Sequence, residues 1–201
     1  MGSRPCRAAG AVLVGVLLAG CGADAERPGP TDATTTAAPT DVDRFLLQPD
    51  EVPGLAPVAS PFTDPGEPFD LPDDGAELLE RSGYVSTTYQ TAQGPHGAGV
   101  SSVLLFESEA GARDWMAYEV SDEALHHQLP DSTITRFEVS EVPGATGWTG
   151  PDLHGNAIGN IYWTQGRCLL IISIETKGPR VRPLTTGAQA IYERTGGTCP
   201  D

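Results

Sequence analysis

The chain has 201 residues, 12 of them Lys or Arg and 27 Asp or Glu, for a formal net charge of −15. Nucleic acid binding needs a clustered basic surface, and this composition excludes one. Acidity on this scale favours solubility and repels anionic lipid headgroups.

The first twenty residues read as an export signal. Arg4 and Arg7 precede an apolar run from Ala8 to Ala19, the layout of a positive region followed by a hydrophobic one. That run is shorter than the about 20 apolar residues that span a bilayer. It closes on Leu18-Ala19-Gly20-Cys21, small residues that give a processing enzyme access to the bond before a thiol. This segment resembles the lipobox of bacterial lipoproteins. The resemblance implies a thioether-linked diacylglyceryl group on Cys21, cleavage before it, and acylation of the new amine. Each buried CH₂ contributes about 0.8 kcal/mol, and two chains suffice for a stable anchor.

Residues 21–40 are Ala, Thr, Pro, Asp and Gly in the main, a composition that cannot offset its own ordering entropy. As a flexible coil this tether has ends on the order of 25 Å apart. Beyond the signal the chain carries 27 acidic side chains against 10 basic ones. The expected partners are thus the membrane, through lipid at Cys21 alone on the extracytoplasmic face, and an unknown envelope ligand or protein.

Residues 41–201 are long enough for one domain with its own core. Asp41–Leu47 predicts a short helix, capped by Thr40 or Asp41. The Pro-rich stretch 49–72 predicts only fragments of structure. Asp73–Arg81 predicts a second helix whose early acids suit the N-terminal dipole, stopped by Gly83. Tyr84–Thr91 and Val100–Phe106 are strand-like, joined by a turn over Gln93–Gly99. Ser108 predicts the cap of a long helix to about Gln128, with Ala112, Trp115, Met116 and Val120 on one buried stripe. Thr133–Val139 alternates as a strand. Ala157–Thr164 and Arg167–Glu175 form a hairpin about Gln165-Gly166, and the apolar run Leu169–Ile174 marks a central strand covered on both faces. Thr185 or Thr186 caps a last helix with Leu184, Ala188, Ile191 and Tyr192 in a stripe. The fold class is α+β: an antiparallel sheet of about five strands with helices packed on one face.

Cys6 leaves with the signal and Cys21 is modified, so Cys168 and Cys199 remain. In an exported domain two thiols predict a disulfide, contributing roughly 3–4 kcal/mol in the loop-entropy account. Tyr84, Tyr89, Trp148, Tyr162 and Trp163 are the candidates for lining a ligand groove; core packing and cross-strand pairing explain them as readily. No metal or cofactor is expected. His126 and His127 are adjacent and point to different helix faces. The acids Asp70, Asp73, Asp74 and Glu77 lack the alternating ligands of a calcium loop. His154 near Asp152 is the one pair that could orient an imidazole for acid–base work, against the plainer role of a loop hydrogen bond.

A strand-to-helix junction, Phe106-Glu107-Ser108-Glu109-Ala110-Gly111-Ala112, and a late hairpin, Ile161–Ile174, complete the pattern. Together they resemble actinobacterial lipoproteins and the extracellular sensor-type domains of mycobacterial receptor kinases, over roughly Val100–Tyr192. The resemblance implies an antiparallel sheet with helices and a ligand groove, and it brings no catalytic residues. The expected function is a non-enzymatic, membrane-anchored domain that binds an envelope ligand or partner. The alternative is an envelope hydrolase acting on glycan or ester.

Overall fold

The computed structural model describes residues 41–64, 71, 73–95, 97–129, 133–152, 156–177 and 181–199, with backbone alone at 73, 127 and 128. The expected signal, Cys21 and the expected tether lie outside these residues. In chain order the elements are a 3₁₀ turn at Asp43–Phe45, β1 (Ala56–Pro57), β2 (Phe62–Asp64), α1 (Asp73–Arg81), β3 (Tyr84–Gly94) and β4 (Gly97–Phe106). Then come α2 (Glu109–Glu119), α3 (Asp122–Gln128), β5 (Thr135–Glu138), β6 (Thr146–Pro151), β7 (Ala157–Gln165), β8 (Cys168–Thr176) and α4 (Val181–Thr195).

All pairings are antiparallel, in the order β1-β3-β4-β8-β7-β6-β5, with β2 also on β3. The α+β class and the antiparallel sheet are those the sequence predicts; among the described residues the strands number eight rather than about five. The three additions have physical reasons. β1 and β2 are very short strands held only by the edge of β3, so no alternation betrays them. β6, Thr146–Pro151, carries two glycines and a proline, residues that weaken any strand signal.

β8 is the middle of the sheet, between β4 and β7, and successive residues on it enter opposite cores. Leu170, Ile172 and Ile174 point to one side, with Ile161, Trp163 and Val103. There α4 supplies Leu184, Ala188 and Ile191, and the N-terminal strap supplies Phe45, Leu46, Leu47 and Val52. Leu169 and Ile171 point to the other side, with Leu104, Phe106, Trp148 and Tyr162, beneath Leu79 of α1, Ala112 and Trp115 of α2 and Leu125 of α3. Helices therefore cover both faces, not one. A strand with Leu and Ile on both of its faces demands this, because either face left bare would expose a row of them.

The strap is fastened by polar contacts. The Leu47 amide donates to Ser101 Oγ at 3.0 Å. The Arg194 guanidinium donates to the carbonyls of Arg44 (2.9 Å) and Leu46 (2.6 Å) and pairs with Glu51. Burial lowers the pKa of Arg194. Its three acceptors return part of the solvation that burial removes. At the other end Cys168 and Cys199 form the expected disulfide, their Cα atoms 5.7 Å apart.

Local differences from the predicted elements are instructive. The long helix breaks in two, because Ser121 takes an extended conformation and its hydroxyl accepts from the Ala124 amide at 3.1 Å, starting α3 anew. Ser108 caps α2 as expected, accepting from the Gly111 amide. The opening helix shrinks to one 3₁₀ turn whose N-cap, Val42, makes no side-chain bond. Thr185 and Thr186 do not cap α4, which begins at Val181; their hydroxyls donate back to the Arg182 carbonyl, a habit of threonine inside helices. Gly94 and Gly97 belong to the strands rather than a broad turn; a Cβ at Gly94 would lie 1.6 Å from the Gly54 carbonyl oxygen.

Gly111 lets α2 start directly on the end of α1: a Cβ there would fall 1.8 Å from the Ser82 carbonyl oxygen. Helix propensity favours Ala over Gly by about 1 kcal/mol. Gly111→Ala should nonetheless destabilise the chain by about 1–3 kcal/mol, the range for overpacking, measured as a lower urea midpoint at unchanged slope.

Candidate ligand-binding surface

The five aromatic candidates do not share one groove. Trp163, 0% exposed, faces α4 and the strap. Trp148 and Tyr162, 1% and 3% exposed, face the opposite core under α2. Register explains the division: Trp163 and Tyr162 are neighbours on β7, so their side chains leave opposite faces of the sheet. Trp163 is satisfied where it stands. In the amide orientation that meets all its neighbours, Gln165 accepts from Trp163 Nε1 and donates to the Thr198 carbonyl, each at 3.1 Å.

Tyr162 is held by chemistry of its own. Burial pushes its hydroxyl pKa well above 10.0, the Glu119 carboxylate adds to the rise, and the neighbouring Trp148 indole opposes it. Glu119, at the end of α2, is itself only 5% exposed. The result is a polar knot inside the helix-side core, beneath α2 and closed to ligand.

Tyr84 is half-buried, edge-on to Phe106 at 6.0 Å between ring centroids. Its hydroxyl lies 2.8 Å from Thr87 Oγ1 and donates to the Asp64 carbonyl at 3.5 Å. Burial chiefly raises its pKa, Thr87 lowers it and Asp64 raises it. Tyr89 alone of the five is open, at 37% exposure, and it packs against Phe62, 54% exposed, with centroids 5.5 Å apart.

This pair begins an open platform on the face of the sheet that α1, α2 and α3 cover. Phe62, Tyr89, Ser102 and Ile171 are register partners across β2, β3, β4 and β8. The parallel row beside it runs Thr91, Val100, Ser173 and Asn160. Val58, whose amide donates to the Thr91 carbonyl, extends that row outward and is 55% exposed. Thr91, Val100 and Ser173 are half-buried, unlike Leu104 and Leu169, which lie wholly beneath the helices. Of the five large apolar side chains exposed among the described residues, Val58, Phe62, Val85 and Tyr89 come from this edge and Val181 from the start of α4. Phe62 and Val58 escape a reading of sequence, because only pairing with β3 brings them beside Tyr89.

The other candidates fall elsewhere. His126 is exposed on α3; the side chain of His127, and His96, His154 and Asp70, lie outside the described residues. The Asp152 carboxylate accepts from the Asn156 amide at 2.7 Å and from its side chain at 3.1 Å, and Asn156 also donates to Glu175 at 2.8 Å. Asp74 accepts from the Gly75 amide. Among the described residues no group of three or more His, Cys, Asp or Glu gathers to hold a metal ion, and no helix is long and apolar enough to cross a membrane.

No protein-family model matches the chain, and no curated protein sequence does. Among solved structures, the extracellular domain of PknH from Mycobacterium tuberculosis is similar, with a TM-score of 0.55 at 14% identity over 79% of this chain and 98% of that one. An uncharacterized protein (Rv0999 ortholog) from Mycobacterium smegmatis matches with a TM-score of 0.40 at 10% identity, over 73% and 90%. The first likeness is one of fold, and it agrees with the resemblance read from the sequence.

The knot around Tyr162 sets an alkaline limit on stability. The folded state holds the Tyr162 proton above the ordinary value of 10.0, so the unfolded chain loses it first. Stability from this group is intact below about pH 10 and falls above it by about 1.4 kcal/mol per pH unit. Tyr162→Phe should flatten that slope in alkaline denaturant titrations while lowering stability near neutrality. An unchanged slope would contradict the assignment.

Proposed function

We propose that this chain is a surface lipoprotein, anchored through lipid on Cys21 at the extracytoplasmic face, whose single domain over residues 41–201 binds a ligand or protein partner of the cell envelope. Residues 1–20 act as the signal and 21–40 as the tether. The role is that of a sensor, carrier or accessory subunit, and binding is its output.

The observation that carries this reading is the open platform. The chain covers both faces of β8 yet leaves Val58, Phe62 and Tyr89 together at the sheet edge. Contiguous exposed apolar surface of this kind marks interaction sites. Its ring faces suit an apolar ligand surface, and the hydroxyls of Thr91, Ser102 and Ser173 suit polar groups at its margin. The fold likeness to an extracellular domain supports the placement outside the cytoplasm. The signal layout and the small residues before Cys21 support the anchor.

Two experiments test the two halves separately. Cells fed an alkyne fatty acid should label the wild-type chain and leave Cys21→Ser unlabelled; equal labelling of both, or none of either, contradicts the anchor. For binding, the full chain is incubated with glycan and lipid fractions of the envelope and examined by native mass spectrometry. Truncating both anchors, Phe62→Ala with Tyr89→Ala, should cut the bound adduct by about tenfold or more. Substitutions this exposed should change stability by only about 0.5 kcal/mol. An adduct undiminished in the double variant, or no adduct from either fraction, contradicts the platform.

A further inference from the structure

We infer that the free edge of β5, with the groove between it and α3, is a docking site for an extended basic segment of a partner protein. The groove holds about 740 Å³ and stands at the opposite end of the sheet from the aromatic platform. β5 is the last strand in the order and pairs only with β6. Among the described residues no strand takes its outer edge. Such an edge is a template for another extended chain, whose main-chain bonds supply affinity while alternate side chains supply selectivity.

Register places the side chains. Arg136 is the partner of Trp148 and so faces the helix side, as does Ile134 two residues earlier, while Phe137 packs into the opposite core. Leu125, Leu129 and Ile134 line the groove, with Asp122, Glu123 and Arg136 beside them. An added strand would therefore turn every second side chain onto an apolar floor bordered by carboxylates. His126 also faces this space.

Charge selects the occupant. Arg136 is already engaged, donating to Asp122 and to the Val120 carbonyl at 2.5 Å each. Arg113 on the neighbouring α2 is likewise paired with Glu109. Glu123 beside the groove and Glu138 at the end of β5 are exposed, and no ion pair engages either among the described residues. A second copy of this chain, at −15, would bring more negative charge to that edge, whereas Lys or Arg on a partner strand would meet its complement.

The probe is a short synthetic peptide alternating valine with lysine, compared with its valine–glutamate counterpart, titrated into the isotope-labelled full chain and followed by amide shifts. The expected result is perturbation concentrated in α3 and β5, with the lysine peptide binding about tenfold or more tightly. Glu123→Gln with Glu138→Gln should weaken it about three- to fivefold, the scale of exposed charge pairs, while Glu109→Gln with Asp114→Asn on α2 leaves it unchanged. Shifts spread over the acids of α1 and α2, equal binding of both peptides, or a concentration-dependent dimer joined through β5 would overturn the proposal.

Discussion

Everything in this fold depends on β8 being apolar on both faces from Cys168 to Ile174, Ser173 aside. A strand that points Leu169 and Ile171 one way and Leu170, Ile172 and Ile174 the other cannot end a sheet or face water. It must have a strand on each side and a layer over each face. β4 and β7 meet the first need, α4 with the strap and α1–α3 the second. Burying five such side chains contributes about 1.5–3 kcal/mol each, so alternatives that expose either row are far less stable. The hydrophobic term has no direction of its own. The polar contacts around the core fix which segment covers which face.

Those contacts gather at the chain's ends. Arg194 on α4 reaches back to the carbonyls of Arg44 and Leu46 and to Glu51, some 150 residues away in sequence. Without such acceptors a half-buried guanidinium would oppose folding; with them it locks the strap against α4. Cys199 is tied to the start of β8, and Gln165 bridges Trp163 to the turn at Thr198. One face is thus closed by covalent and charged fastenings. The other is closed by three separate helices, and it is this face that carries both the platform around Tyr89 and the groove beside β5.

Much of the fold was legible in the sequence because local physics and tertiary fate agree there. α1 stops at Gly83, whose φ is +70°, and the β7–β8 hairpin turns through Gly166, at φ +54°. Legibility failed where a local signal has two readings. Ser121 looks like any serine on a helical stripe, yet it starts α3. The apolar run in β8 announced two-sided burial, but not which helices would supply the second layer. The aromatic candidates show the same limit more sharply. Trp148, Tyr162 and Trp163 have composition suited to a groove, and register alone sends them into two cores. Phe62 and Val58, in a stretch with no periodicity, become part of a surface only when β3 collects them. Cys21 reads as a motif in the sequence and lies outside the described residues.

The division between core aromatics and platform aromatics is the centre of this account, and solvent access tests it most directly. Hydroxyl-radical footprinting of the native full chain, read residue by residue, should modify Phe62 and Tyr89 readily while leaving Trp148, Tyr162 and Trp163 untouched until the chain unfolds. Protection of Phe62 and Tyr89 in the free chain, or modification of the three core residues at comparable rates, would contradict it.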